Sequence, residues 1–360
     1  MAGNTTTHLI DMYVDEATPV PYLTSKFRAP PKNYYTSQKV ELDIVRDTEE
    51  VAIVIQDLSA GSRENEMTLY QNKGFVPPVY DEAATLSAID MMQRFPGQDV
   101  FSDPDYAANA TEWAFTIFRK LENKIRRAVE LQAAQVLQTG KLNLTDKSGR
   151  PLYVLDYGPR TTHFVTAGTA WGSNGANPMG DIGLLADVVR RDGRGVPNEL
   201  IFGKRSWRDF IADATVKAAF NLWRMSFGMI QPTGAKTSGG VSFKGRINID
   251  NYDYDIYVYD GTYVDPQTGN TLNYVSQDSV IMLSDNSRLD LTFGAIPKLK
   301  APDSPAMAFL PPRISNGDVR IDLSVFAWFT PDGKHLKLSA GTRPLAIPTA
   351  IDTFGCLTTR

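Results

Sequence analysis

Cysteine is almost missing from this 360-residue chain, which carries Cys356 alone. One thiol cannot close an internal disulfide or build a cysteine zinc site, so a secreted disulfide scaffold is excluded and a reducing compartment is expected. Histidine is scarce as well: His8, His163 and His335 are widely separated, and no H-E-x-x-H or other paired metal spacing occurs. No window approaches 18 uninterrupted apolar residues, and the N-terminal MAGNTTTHLIDMYVDEATPVPYL has no basic region followed by a long apolar run. Neither a membrane span nor a cleaved signal peptide is expected. A surplus of one charge is lacking too, since 37 Lys+Arg against 41 Asp+Glu leave −4. That balance argues against a dedicated nucleic-acid binder. With 42% hydrophobic residues, Gly 27 and Pro 22, the collagen-like, low-complexity and disordered classes fall away. The chain is long enough for two domains, or for one elaborate domain, with a sizeable core.

Residues 1–45 scatter Pro19, Pro21, Pro30 and Pro31 among aromatics without a period of 2 or 3.6, which predicts an extended arm ordered only by lying on something else. VAIVIQDL at 51–58, a polar stretch, and a second run from Met67 to Tyr80 read as a long hairpin, marginal by itself. The most legible element is a helix over 104–139. Ser102 or Asp103 caps it, Pro104 takes the first position and Gly140 ends it. Trp113, Ile117, Leu121, Ile125, Val129, Ala133 and Leu137 recur every fourth residue. Each such step overshoots a turn by about 40°, so the apolar row winds and the helix must cross several partners. Further on, helices are expected over 182–191 and 206–223, a buried strand at 198–203, and alternating strands in RINIDNYDYDIYVYDGTYVD and VRIDLSVFAWF. The class is α+β.

Chemical signatures are weak. GKRS at 203–206 echoes the end of a phosphate loop, but position 198 is Asn where the loop needs glycine. Asp253 and Asp255, set among tyrosines, are the best enzyme candidates, as paired acids beside stacking rings suit glycoside hydrolysis. They also fit a solvated strand face ending in a hairpin turn at Asp260–Gly261, and that reading is favoured. Arg190, Arg191, Arg194, Lys204, Arg205 and Arg208 could meet phosphates, yet Asp192, Glu199, Asp209 and Asp213 interleave with them, which suits salt bridges equally well.

Three segments taken in order carry a family resemblance: KVELDIVRDTEEVAIVIQDLSAG, then FVPPVYDEAATLSAIDMMQRFPGQDVFSDPDYAANATEWAFTIFRKLENKIRRAVELQAAQVLQTGK, then VSFKGRINIDNYDYDIYVYDGTYVD. With that order the chain resembles the tailed-phage major capsid proteins of the Hong Kong 97 fold, in the lambda-type "major capsid protein E" branch. The resemblance implies an N-terminal arm (1–45), an extended loop (46–90), a peripheral domain (91–189) with spine helix 104–139, an axial domain (190–305) and a return to the peripheral domain (306–360). It further implies a non-enzymatic subunit without cofactors, forming the pentamers and hexamers of an icosahedral shell around double-stranded DNA. The expected location is the virion capsid, with the host cytoplasm during assembly. Because the helix already starts near residue 104, no built-in scaffold segment is expected. The implied partners are further copies of the chain, a separate scaffolding protein, a portal protein, packaged DNA contacted non-specifically and, optionally, a decoration protein; no membrane is involved. Inter-subunit contact candidates are Arg63, Glu64, Glu66, Tyr70, Arg94, Arg205 and Arg208. The helix core candidates are Trp113, Ile117, Leu121, Ile125 and Val129. An encapsulin-like compartment of the same fold and a carbohydrate-active β-rich enzyme using Asp253 and Asp255 are the alternatives.

Overall fold

A computed structural model describes residues 21–35, 40–44, 71–91, 106–145, 148–222, 240–296 and 323–360. Two 3-10 turns, Thr24–Lys26 and Pro31–Asn33, open the described chain. Val40–Ile44 (β1) then pairs antiparallel with Gln71–Phe75 (β2), and Tyr80–Ser87 (β3) leads into the single turn Ala88–Met91 (α1). The long helix runs from Tyr106 to Thr139 (α2), 34 residues or about 51 Å. Gly140 ends it at φ 64°, donating its N–H to the Val136 carbonyl at 2.7 Å, a left-handed position that costs glycine no Cβ clash. The expected cap at 102–104 lies outside the described residues.

Lys141–Thr145 (β4) and Pro151–Asp156 (β5) form a hairpin, and Phe164–Thr166 (β6) is a short strand. Pro178–Gly193 (α3) is capped by Asn177, whose side chain accepts the Gly180 N–H. After Pro197–Phe202 (β7), the single helix expected over 206–223 is two: Lys204–Ala212 (α4) and Ala214–Leu222 (α5). Asp213 divides them, because its carboxylate accepts from the N–H groups of Thr215 and Val216 and so starts a new helix.

Val241–Ile249 (β8) and Tyr252–Tyr259 (β9) are joined by the two-residue turn Asp250–Asn251, with Asp250 at φ 53°. The hairpin turn expected at Asp260–Gly261 is absent: Thr262–Val264 (β10) pairs with Thr271–Asn273 (β11), so these two residues redirect the chain between sheets. Ser279–Ser284 (β12), Leu289–Phe293 (β13), Ser324–Phe329 (β14), His335–Thr342 (β15), Pro344–Pro348 (β16) and Phe354–Thr358 (β17) complete the described strands.

Six strands form one mixed sheet in the order β6-β17-β12-β7-β9-β8, and three form an antiparallel sheet, β14-β15-β3. The boundaries expected at 189/190 and 305/306 cut through the larger sheet, since β6 and β17 belong to it. Likewise β3 is a partner of β15 and not part of a loop reaching to residue 90. Strand periodicity divides the apolar residues of the larger sheet between two cores. Leu200, Phe202, Val280, Met282, Ile256 and Val258 face α3, α4 and α5, while Ile201, Ile281, Leu283, Tyr259 and Cys356 face the C-terminal half of α2. The N-terminal half of α2 lies on the three-stranded sheet, where Leu121 and Ile125 meet Leu86, Val325, Leu336 and Leu338. One helix therefore serves two cores, as its winding row requires. Leu121, Ile125 and Val129 are buried, and Trp113 and Ile117 are half-buried at the edge of the smaller core.

Leu121→Asp would place a carboxylate without a partner in that smaller core, at a cost of several kcal/mol. The expected outcome is insoluble or unfolded protein, checked by expression and circular dichroism; a soluble chain with native melting would refute the packing.

Candidate functional site

The segment 21–35 is seated on the body by two carboxylates. Glu130, 2% exposed in the middle of α2, accepts four hydrogen bonds. Its Oε1 takes the Leu23 N–H (2.7 Å) and the Tyr259 hydroxyl (3.0 Å), and its Oε2 takes the Thr24 N–H (2.9 Å) and hydroxyl (2.6 Å). Glu199 on β7 accepts from the Tyr22 hydroxyl at 2.9 Å and pairs with Lys26 at 2.6 Å. Lys26 also lies over the rings of Tyr22 and Tyr257, 4.9 and 5.4 Å from their centroids. Burial, with the Glu199 charge and hydrogen bond second, raises the Tyr22 hydroxyl far above its usual range, and Tyr259 rises for the same reasons through Glu130. Both stay neutral donors. Further along, Arg28 and Tyr34 form parallel bridges to Asp290 and Phe293 on β13, and Tyr34 stacks on the Phe293 ring at 5.0 Å.

The hairpin stem is rooted in the same core. Val40 and Phe75 are paired and buried, and Phe75 meets Tyr157 edge-on. Arg343, 5% exposed, donates to the carbonyls of Pro77 (3.1 Å) and Ala295 (2.9 Å), which fixes the connection from β2 to β3. The register from Val40 opposite Phe75 to Ile44 opposite Gln71 leads the chain out of the stem at residues 44 and 71.

Of the expected contact residues, Arg63, Glu64, Glu66, Tyr70 and Arg94 lie outside the described residues. Arg205 is engaged within the subunit, forming a bidentate pair with Asp278 that Arg360 and Asp209 extend. Arg208 is exposed and makes no ion pair among the described residues. The phosphate-loop echo at 203–206 is occupied by protein, because the N–H groups of Arg205 and Ser206 both donate to the Gln277 carbonyl. Asp253 accepts from Asn248, and Asp255 pairs with Arg246 at 2.8 Å, both with partners on the adjacent strand β8. This is an exposed, charge-matched strand face.

Two groups escaped the sequence reading. Glu130 sits in AVELQAAQVL, where the helix is buried nearly all round, so a lone acid there signals a polar contact to another segment. His163, to which the sequence reading gave no role, is fully buried. Its Nδ1 lies 2.9 Å from the Phe354 carbonyl and its Nε2 lies 3.3 Å from Asp192, which also pairs with Arg160 at 2.9 Å. Burial by itself would push the Asp192 carboxyl up, but hydrogen bonds from Arg160, Arg191 and His163 outweigh it and hold the group below the usual range. The network fastens α3 to β17.

Glu130→Gln would set an amide NH2 against two donors whichever way it turns. A loss of about 3 kcal/mol and faster tryptic cleavage at Lys26, Arg28 and Lys32 are expected, read by melting and timed proteolysis. Asp192 has a lower pKa folded than unfolded, so its stabilising effect is complete above about pH 4 and disappears as pH falls through the folded value. Asp192→Asn should lower the melting temperature at pH 7 and flatten its fall in acid, measured by melts across a pH series.

The comparisons agree with this architecture. The family model described as phage major capsid protein E matches residues 6–358. The crystal structure assigned as the capsid protein of a prophage of E. coli CFT073 superposes with a TM-score of 0.64 at 16% identity, covering 96% of this chain and 94% of that one. The capsid of an empty GTA particle superposes at 0.50 with 10% identity, covering 99% and 97%. The SrpI encapsulin of Synechococcus elongatus PCC 7942 gives 0.46 at 12% identity, covering 99% and 92%. No curated protein matches by sequence. A family match across nearly the whole length, on a fold shared with phage capsid structures, establishes that this chain belongs to the phage major capsid protein E family.

Proposed function

We propose that the chain builds pentamers and hexamers of an icosahedral phage head around double-stranded DNA. The observation that carries this reading is the family match over residues 6–358. Two features of the fold support it. The stem of β1 and β2 is held rigidly by Val40, Phe75 and Arg343, as a projecting loop that bears load between subunits needs. The segment 21–35 is strapped across both α2 and the larger sheet, which couples the parts of the subunit that neighbours would pull on. Many modest contacts repeated around a ring then give stable association through multivalency.

Within this reading, the arm precedes β1, the extended loop runs out of the β1–β2 stem and ends before β3, and α2 is the spine, with its core at Trp113, Ile117, Leu121, Ile125 and Val129. The loop candidates Arg63, Glu64, Glu66 and Tyr70, together with Arg94 and the exposed Arg208, are contacts to neighbouring copies. Arg205, also a contact candidate, carries an ion pair to Asp278 within its own subunit. Scaffolding and portal proteins and packaged DNA are the other partners, and the subunit performs no catalysis. The encapsulin alternative shares the fold but would enclose protein cargo.

Particle formation is the test. The purified chain, with and without neighbouring gene products, should give polyhedra in negative stain and sediment far above a small oligomer; a small oligomer under every condition would refute the reading. Replacing residues 60–67 with Asn-Gly keeps a two-residue hairpin turn, so circular dichroism and melting should be unchanged while the yield of particles falls. Normal particles from the shortened chain would remove the loop tip from the contact set.

A further inference from the structure

Sheet edges are natural templates for another strand, and proteins ordinarily blunt them with bulges, lysines, prolines or short length. In the two larger sheets the described edges follow this rule with one exception. β8 has a bulge between Phe243 and Gly245 and carries Lys244 and Arg246. β6 has three residues, and Phe326, Ala327 and Phe329 on β14 are already engaged. β3 has none of these protections. It pairs with β15 in continuous register from Tyr80 to Ser87; Ser87 is engaged at the start of α1, and the stretch Tyr80–Leu86 carries no bulge, proline or basic residue. Asp81, Ala83 and Thr85 are exposed on the face away from α2. The exposed apolar Val79 and Ile89 bracket the strand.

We propose that β3 pairs antiparallel with β3 of a second copy about a two-fold axis through Ala83, joining two three-stranded sheets into one of six. The identity of the partner rests on the shell reading; the register comes from the strand itself. A two-fold axis normal to the sheet keeps each face, so opposite residues must share parity and the axis must pass through a residue. Centring on Asp81 or Glu82 sets like charges face to face, which is destabilising. Centring on Ala84 sets Glu82 against Leu86. Centring on Ala83 sets Asp81 against the Thr85 hydroxyl, Glu82 against Ala84 and Tyr80 against Leu86. The closest approach then falls on two methyl groups with Cα atoms about 5 Å apart. Glu82 is already neutralised within its own subunit by Lys124 at 2.7 Å.

Full-length Ala83→Cys tests the pairing, because that Cα separation accommodates a disulfide. Native Cys356 is buried, with its thiol pushed up to about 12 by that burial, so it stays silent. Assembled and oxidised Ala83→Cys should run as a dimer on a non-reducing gel. Ala88→Cys, exposed beyond the strand end and about 34 Å from its mate in this register, should not. As a second arm, Ala83→Glu and Ala83→Lys should each lower particle yield about tenfold with unchanged melting, and mixing the two should restore it. Normal particles without the Ala83→Cys dimer, equal dimer from Ala88→Cys, or no rescue on mixing would each overturn the pairing while leaving the shell reading intact. A native chain that forms no particle under any condition would overturn both.

Discussion

The carboxylate of Glu130 is the contact on which the arrangement of the subunit depends. It sits in the interior of α2, among Val129, Ala133 and Ala134, where an acid without hydrogen-bond donors would be costly. Four donors from two other segments meet it: Leu23 and Thr24, at the start of the first 3-10 turn, supply three, and β9 supplies the fourth through Tyr259. The helix, the larger sheet and the segment 21–35 can satisfy this group only in one mutual placement. A directional interaction thus specifies what apolar packing alone would leave adjustable.

From that point the fold divides along α2. Its N-terminal half covers the small antiparallel sheet and its C-terminal half covers one face of the six-stranded sheet. A rigid helix of this length transmits displacement from one core to the other, since neither core can move without carrying the shared element. On the opposite face of the larger sheet, the His163, Asp192 and Arg160 network fixes the last strand to α3. The C-terminus is held again by Arg360 against Asp209 and Asp278. Both ends of the described chain are therefore tied to the body by charge-assisted bonds.

What the sequence by itself determined was local. The winding apolar row from Trp113 to Leu137, with Gly140 after it, specified a long helix with several partners, because 3.6-residue periodicity and a left-handed glycine stop are properties of the chain itself. Alternation in β9 and the apolar run of β7 likewise marked buried strands, and the order of segments carried the family resemblance. The tertiary structure decided what depends on groups distant in sequence. Glu130 became a latch only because Leu23 and Tyr259 are brought to it. Arg205 was paired within the subunit with Asp278, seventy-three residues away. β6 and β17 were recruited into a sheet whose other strands lie far from them in the chain, and Asp213 divided a continuous amphipathic pattern by capping. Hydrogen bonding between remote segments leaves no period in a sequence, so these features became visible only once the chain was folded.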